Sequence, residues 1–220
     1  MRKAYSVFKK DWQSELRTRY AINALAMFIL VTISVILFSV GDEPVTNYLT
    51  GGLFWVVIFF SAMSGLSRVF VSEEERGTTL TLQLIAAPVT VFFGKLIFNL
   101  ILVFLMIISI TILYAMLFDN FVIQNLSLFF VALFLGGIGI AISSTLIAAI
   151  IAKANTKGTL YPVLSFPILL PLILTLLELT KFSMDGETFL FSWTYLAILV
   201  SYDVIMLTAG FMLFDFIWKE

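Results

Sequence analysis

The chain contains neither cysteine nor histidine, and only 12% of its 220 residues are charged. Without cysteine it forms no disulfide, no zinc–thiolate site and no thiolate-held cluster. Without histidine it lacks the commonest metal and haem ligand and the commonest general base. The phosphate-binding pattern G-x-x-x-x-G-K-[ST] is also absent. We therefore expect a protein that is not an enzyme and that binds no metal or cofactor directly.

Apolar residues dominate what is present. They make up 61% of the chain, and the mean hydropathy is +1.07, whereas a soluble domain is about half apolar and about a quarter charged. Six apolar runs are each long enough to cross a bilayer as a helix and lack the alternation of barrel strands. We predict an all-α membrane protein with one membrane domain over residues 1–220 and spans at 22–40, 53–71, 96–118, 126–152, 159–177 and 189–214.

The basic residues predict the orientation of these spans. Twelve of the thirteen lysines and arginines lie before the first span, after the last, or in or beside the second and fourth loops. The outer loops contain Lys181 together with five acidic residues, Asp42, Glu43, Asp119, Asp185 and Glu187. This asymmetry places both termini in the cytoplasm. The cations are too scattered for a nucleic-acid surface, and Lys95, near a span end, is expected to snorkel to the interface.

Residues 1–20 predict an amphipathic basic helix. Tyr5, Phe8, Trp12 and Leu16 are spaced by three or four residues among six basic side chains. Such a helix lies in the membrane interface with its aromatic face among lipid tails. The alternative is a solvated basic segment that only orients the first span.

Residues 73–90 form an unusual loop between the second and third spans. Three carboxylates precede a Gly-Thr break, and a short helical run with Leu80 and Leu84 on one face then ends at Pro88. One interpretation is a short coupling helix that a partner grips; the other is a solvated surface helix. The candidate coupling residues are Glu73, Glu74, Glu75, Arg76, Gly77, Thr78, Leu80, Leu84 and Pro88.

Three features lie inside the predicted spans. A strip of glycine, alanine and serine from Gly136 to Ala152 predicts close helix packing, either within the chain or between two copies. Prolines in the fifth span predict a kinked or broken helix. Asp203, next to Tyr202 in the sixth span, is an ionisable residue placed deep in the bilayer. It either binds a cation, relays a proton or bonds to a neighbouring helix through a hydroxyl.

The acidic loop, the Gly-Thr break, Pro88 and the six spans together resemble membrane subunits of ABC transporters of the ABC-2 type. More narrowly, the chain resembles the CcmB family, the haem exporter protein B of cytochrome c maturation. The resemblance covers nearly the whole chain. It includes Gly41-Asp42-Glu43-Pro44, Leu66-Ser67-Arg68-Val69-Phe70, Gly94-Lys95, and Pro167 with Pro171.

This resemblance implies a permease subunit in a bacterial inner membrane. A separate cytoplasmic ATPase would supply ATP hydrolysis, coupled through residues 77–88 to haem export or to release of a haem-loaded chaperone. The implied partners are that ATPase, a haem-handling membrane protein, the haem chaperone and a second copy of the chain, with haem handled by the complex. Two alternatives are a generic ABC-2 exporter of a lipid, drug or polysaccharide, and a membrane assembly scaffold.

Overall fold

The computed structural model describes residues 2–40, 45–66, 68–152 and 157–219. Residues 41–44, Ser67 and Lys153, which contribute to the resemblance or the charge pattern, lie outside these ranges. The described residues form nine helices and no strand, which confirms the predicted all-α class. The helices are α1 (Arg2–Thr18), α2 (Tyr20–Val40), α3 (Asn47–Leu66), α4 (Arg68–Glu75), α5 (Thr79–Ile85), α6 (Pro88–Leu117), α7 (Leu126–Ala152), α8 (Lys157–Met184) and α9 (Phe189–Lys219).

Six stretches of the described chain are long and apolar enough to cross a membrane, as predicted. They are Tyr20–Val40, Asn47–Glu75, Pro88–Leu117, Leu126–Ala152, Leu160–Met184 and Phe189–Trp218. Several extend beyond the predicted spans: the second reaches Glu75 rather than residue 71, and the third begins at Pro88 rather than residue 96. Hydropathy marks only the length of helix that crosses the hydrocarbon core, and a helix can continue beyond that length.

α8 is continuous although Pro162, Pro167 and Pro171 lie inside it. Each proline removes one backbone donor. Membrane helices tolerate this loss because neighbouring groups and small local adjustments satisfy the freed carbonyls. Of the two predicted alternatives, a broken fifth span is therefore wrong, and a kinked one stays a prediction.

α7 is the central helix of the bundle. It packs against α4, α6, α8 and α9, and nearly every residue from Gly136 to Ala152 is buried. A Cβ at Gly136 would lie 2.7 Å from Leu176, and one at Gly137 would lie 2.9 Å from Phe104. Other helices of the same chain cover the small-residue strip, which supports packing within the chain over dimerisation along α7.

Loop contacts define the two ends of the bundle. At one end the Asn125 amide donates to the Ser183 carbonyl at 2.8 Å, and Asn47 Nδ2 donates to Asp185 Oδ1 at 3.3 Å. The other end holds α1, α5 and the last turn of α9, and we call it the α5 end. The loop predicted to carry function therefore lies at the opposite end of the bundle from these contacts of Asn47, Asn125 and Asp185.

Candidate functional site

The segment between the second and third spans turns sharply at Gly77. This residue has a φ of +66°, a left-handed conformation that glycine adopts without a Cβ clash. The amides of Gly77 and Thr78 donate to the carbonyls of Glu74 at 3.1 Å and Glu73 at 3.0 Å. This pair of bonds is the Schellman motif, which ends a helix. The Gly-Thr break seen in the sequence is thus the C-terminal cap of α4.

α5 is a seven-residue helix with an exposed apolar face. Leu80 and Leu84, one turn apart, are 73% and 89% exposed, and Ile85 extends the same surface. On the opposite side Thr79 is buried and Leu82 packs against the hydrophobic core. The predicted short helix is present, and its two leucines point away from the bundle. Such a surface is typical of contact with another protein or with lipid.

Pro88 begins α6 rather than ending α5. α5 ends at Ile85, and the backbone is extended at Ala86 and Ala87 before Pro88 opens the next helix. Proline suits a first helical position because its missing N–H would be unpaired there anyway. The prediction that Pro88 stops the short helix is therefore wrong, because α5 ends at Ile85 and two extended residues separate it from Pro88.

A side chain of α5 also contacts the last span. Gln83 Nε2 donates to the backbone carbonyl of Trp218, near the end of α9. This carbonyl lies in the last turn of a helix, where no intrahelical donor is available. The bond therefore satisfies an otherwise unpaired acceptor and joins α5 to α9. Sequence analysis did not identify Gln83, because nothing in the local pattern indicates a partner 135 residues away.

Lys95 lies at the centre of a buried charge cluster. Only 1% of its surface is exposed. Its Nζ donates to the Val69 carbonyl and to Glu73 Oε1, both at 2.9 Å, and lies 3.0 Å from Asp11 Oδ2. A buried ammonium needs such partners because its removal from water is costly. The expectation that Lys95 snorkels to the interface is therefore wrong.

Glu73 is turned inward and accepts bonds from three directions. Besides Lys95, it accepts from Lys10 Nζ, and its Oε2 accepts from Thr78 Oγ1 at 2.5 Å. We call Lys10, Asp11, Glu73 and Lys95 the Lys95 cluster. It joins α1, α4 and α6 through two cations and two carboxylates, so its charges balance. The sequence offered one signal for this cluster: Lys95 directly precedes an apolar run, and a lysine placed there needs a partner.

The candidate coupling residues therefore divide between two environments. Glu73 is 6% exposed, whereas Glu74 is half-buried and Glu75 and Arg76 are exposed. Arg76 Nη1 donates to Ser14 Oγ of α1 at 2.9 Å. The three carboxylates do not form one acidic surface, and the loop is fastened to α1 on its inner side.

α1 packs on α6 through a face that differs from the predicted stripe. Val7 and Glu15 are buried and Asp11 lies between them, so one row of residues at four-residue spacing faces the bundle. Gly94 of α6 makes this approach possible, because a Cβ there would lie 2.7 Å from the Cβ of Val7. The contact requires glycine at position 94.

The predicted aromatic stripe of α1 divides between two surroundings. Phe8 and Trp12 pack against the core, and the Trp12 ring is 6.4 Å from that of Phe98. Tyr5 and Leu16 are exposed. The expectation that the whole stripe lies among lipid tails is therefore wrong, although an interfacial position for the exposed part stays a prediction.

A cleft of about 780 Å³ separates α1 from the α4–α5 segment. One wall is charged or polar and includes Lys10, Gln13 and Arg17 of α1. The opposite wall includes Glu73 and Thr81. Three members of the Lys95 cluster, Lys10, Asp11 and Glu73, thus line the cleft, while Lys95 itself does not.

Asp203 and Tyr202 face different partners. Tyr202 Oη is 2.9 Å from Ser143 Oγ and donates to the Ile168 carbonyl at 2.9 Å. Asp203 is 8% exposed and packs against Gly139. Neither of its carboxylate oxygens has a hydrogen-bond partner among the described residues. The hydroxyl-bonded interpretation of Asp203 is therefore wrong for this part of the chain, and cation binding and proton relay stay predictions.

No metal-binding group was found where the structure describes the chain. Within residues 2–40, 45–66, 68–152 and 157–219, no three acidic side chains converge on a point that would hold a metal ion. Asp11 and Glu73 each form ion pairs with Lys10 and Lys95. At the α5 end, these ion pairs connect α1, α4 and α6.

A known protein family matches nearly the whole chain. No curated protein matches the chain significantly. The family described as CcmB protein matches residues 2–214, which takes in the charged cluster, α5 and Asp203. The resemblance noted in the sequence is thereby confirmed: the chain belongs to the CcmB family and is a membrane component of the haem exporter of cytochrome c maturation.

Proposed function

We propose that this chain is the subunit through which a separate ATP-hydrolysing protein drives a step of cytochrome c maturation. That step is haem export or the release of a haem-loaded chaperone. The observation that carries the proposal is the exposed apolar face of α5, with Leu80 and Leu84 pointing away from the bundle. A leucine pair at this exposure is typical of a surface that a partner covers.

The α5 end faces the cytoplasm in this proposal. Twelve of the thirteen basic residues precede the first span, follow the last, or lie in or beside the second and fourth loops, and the positive-inside rule assigns these segments to the cytoplasmic side. Both termini then lie in the cytoplasm, and the membrane is the bacterial inner membrane. ATP is available on that side, so a soluble ATPase can reach α5.

Movement of α5 reaches the bundle through three connections. Gly77 and the extended link at Ala86 and Ala87 flank the helix and join it to the second and third spans. Gln83 joins it to the end of α9. A partner that displaces α5 therefore acts on three spans at once, and α9 carries Tyr202 and Asp203 into the middle of the bundle. Two packings of these helices would supply the two states that an ATP-driven cycle needs.

The complex contains further subunits in this proposal. A second copy of the chain pairs with two ATPase subunits, and a haem-handling membrane protein and a haem chaperone complete it. ATP acts only through the ATPase, no cofactor is bound directly by this chain, and haem is handled as a substrate. Asp203 is the candidate polar site within the membrane.

The experiment replaces the two exposed leucines of α5 by charged residues. Leu80→Asp with Leu84→Asp should abolish co-purification of the ATPase and reduce covalent haem in membranes to the level of a strain lacking the protein. The matched control is Thr81→Asp, which adds charge to the same helix at an exposed position on the cleft side. Total b-type haem is measured alongside and should not change.

Two outcomes contradict the proposal. If the double variant retains the ATPase, α5 is not the docking surface. If a strain lacking the protein keeps normal covalent haem, the chain does not act in cytochrome c maturation.

A further inference from the structure

We propose that Lys95 is a positioning residue that fastens α1 to the coupling segment, so that α1, α4, α5 and the first turns of α6 move as one body. This inference rests on the proposed function, because it concerns how displacement of α5 is transmitted. It assigns α1 a part in coupling, beyond an anchoring role at the interface.

The first step of the argument is the position of the ammonium group. Lys95 Nζ contacts the carbonyl of Val69 and the carboxylate of Glu73, both in α4. It also forms an ion pair with Asp11 of α1. A single buried cation in α6 thus joins α1 and α4, which are separated along the chain by the whole of α2 and α3. Its Nζ also lies over the Phe70 ring, 5.6 Å from the ring centroid.

The second step is the continuity from this cluster to α5. Glu73 is the residue whose carbonyl accepts from the Thr78 amide, and its carboxylate accepts from the Thr78 hydroxyl. Thr78 immediately precedes α5. The inward turn of Glu73 and the direction in which α5 leaves the cap at Gly77 are therefore fixed by the same residue.

The third step is the independent packing of α1 on α6. Gly94, next to Lys95, allows Val7 to approach so closely that any side chain at 94 would displace α1. Arg76, beyond the cluster, donates to Ser14 two turns further along α1 than Val7. Contacts on both sides of Asp11 thus hold α1 against the bundle along its length. A helix that only lies in the membrane interface would not need these contacts.

The first test uses activity with matched variants. Lys95→Met should leave the ATPase bound but lower covalent haem roughly tenfold, an effect within the range that mutations along a coupling path produce. Asp11→Asn should have a smaller effect in the same direction. Lys9→Met removes an exposed cation from the same helix and should have none. In the double variant Lys95→Met with Asp11→Asn, the second change should add little, because the ion pair between Lys95 and Asp11 is already lost.

The second test measures the distance directly. The chain has no cysteine, so spin labels can be placed at Gln13→Cys and Thr81→Cys, which line opposite walls of the cleft. Mixing labelled chain with an excess of unlabelled chain removes distances between two copies, so that the separation of α1 and α5 is measured. In the full complex this distance should be single, narrow and unchanged when ATP is trapped. In Lys95→Met, or in Asp11→Asn if the first variant does not fold, the distribution should broaden.

Three results would overturn the inference. They are a change in the distance on ATP trapping in the otherwise wild-type complex, an equally narrow distribution in the variants, or normal covalent haem in Lys95→Met. These are distinct from failure of the proposed function, which would appear as an ATPase that does not bind the wild-type chain. The distance in the isolated chain would still test the cluster in that case.

Discussion

Gly139 of α7 faces Asp203 of α9 so closely that a Cβ at position 139 would lie 2.5 Å from Asp203 Oδ1. The Leu172 side chain closes the same space at 2.9 Å. The carboxylate therefore occupies room that only a glycine leaves open. This fit between two helices lies near the middle of both and depends on position 139 having no side chain.

Gly139→Ala is expected to destabilise the solubilised protein by about 1–3 kcal/mol, the usual cost of overpacking. Gly139→Leu should cost more. Gly52→Ala is the matched control, because a Cβ there would meet only Leu177, at 3.8 Å. Adding Asp203→Ala to Gly139→Ala should restore part of the loss in melting temperature. An equal loss in Gly52→Ala would show that the close contact at 139 is unimportant.

Asp203→Asn tests whether the carboxylate has a function of its own. The amide has nearly the same shape but no charge, so we expect normal membrane insertion and ATPase binding with a severe loss of covalent haem. Asp203→Leu should lose the same activity yet be at least as stable, because a buried carboxylate without hydrogen-bond partners is costly to keep. Covalent-haem staining and thermal unfolding measure the two effects separately. Normal covalent haem in both variants would assign Asp203 a packing role only.

Variants at Gly77 test the turn that precedes α5. The left-handed φ of +66° is tolerated by asparagine, costs alanine about 1–2 kcal/mol, and is closed to proline, whose φ is fixed near −65°. No neighbouring atom lies within 4 Å of a Cβ at this position, so backbone conformation is the only variable. We expect the stimulation of the partner ATPase by this chain to be highest in Gly77→Asn, lower in Gly77→Ala and lowest in Gly77→Pro. A Gly77→Pro variant with wild-type coupling would rule out the cap as a determinant of α5.

Gln83→Leu tests the connection between α5 and α9. Losing the bond to the Trp218 carbonyl leaves that acceptor unpaired and should cost about 1 kcal/mol or somewhat more. The larger effect should be on coupling: the ATPase stays bound through Leu80 and Leu84, while ATP hydrolysis no longer supports covalent haem attachment at the normal rate. Gln13→Leu, an exposed position on α1, is the control. Loss of ATPase binding instead would place Gln83 in the docking surface.

The spans and the short helix were predictable because their signals are local. An apolar run of about 20 residues needs a membrane wherever it packs, and six such runs appear in the printed sequence. The Gly77 cap and the helix at Leu80 to Leu84 follow from conformational preferences of a few neighbouring residues. Errors arose at boundaries, as at Pro88, because proline is equally suited to end one helix and to begin the next.

The sequence by itself thus determined the membrane class, the six helices and the break at Gly77. Only the tertiary structure decided which way each polar side chain faces. Lys95 is buried rather than snorkelling because its acceptors come from α1 and α4, and Tyr202 bonds to Ser143 rather than Asp203. These choices depend on the rotation of each helix about its axis, which is fixed by packing against helices distant in sequence.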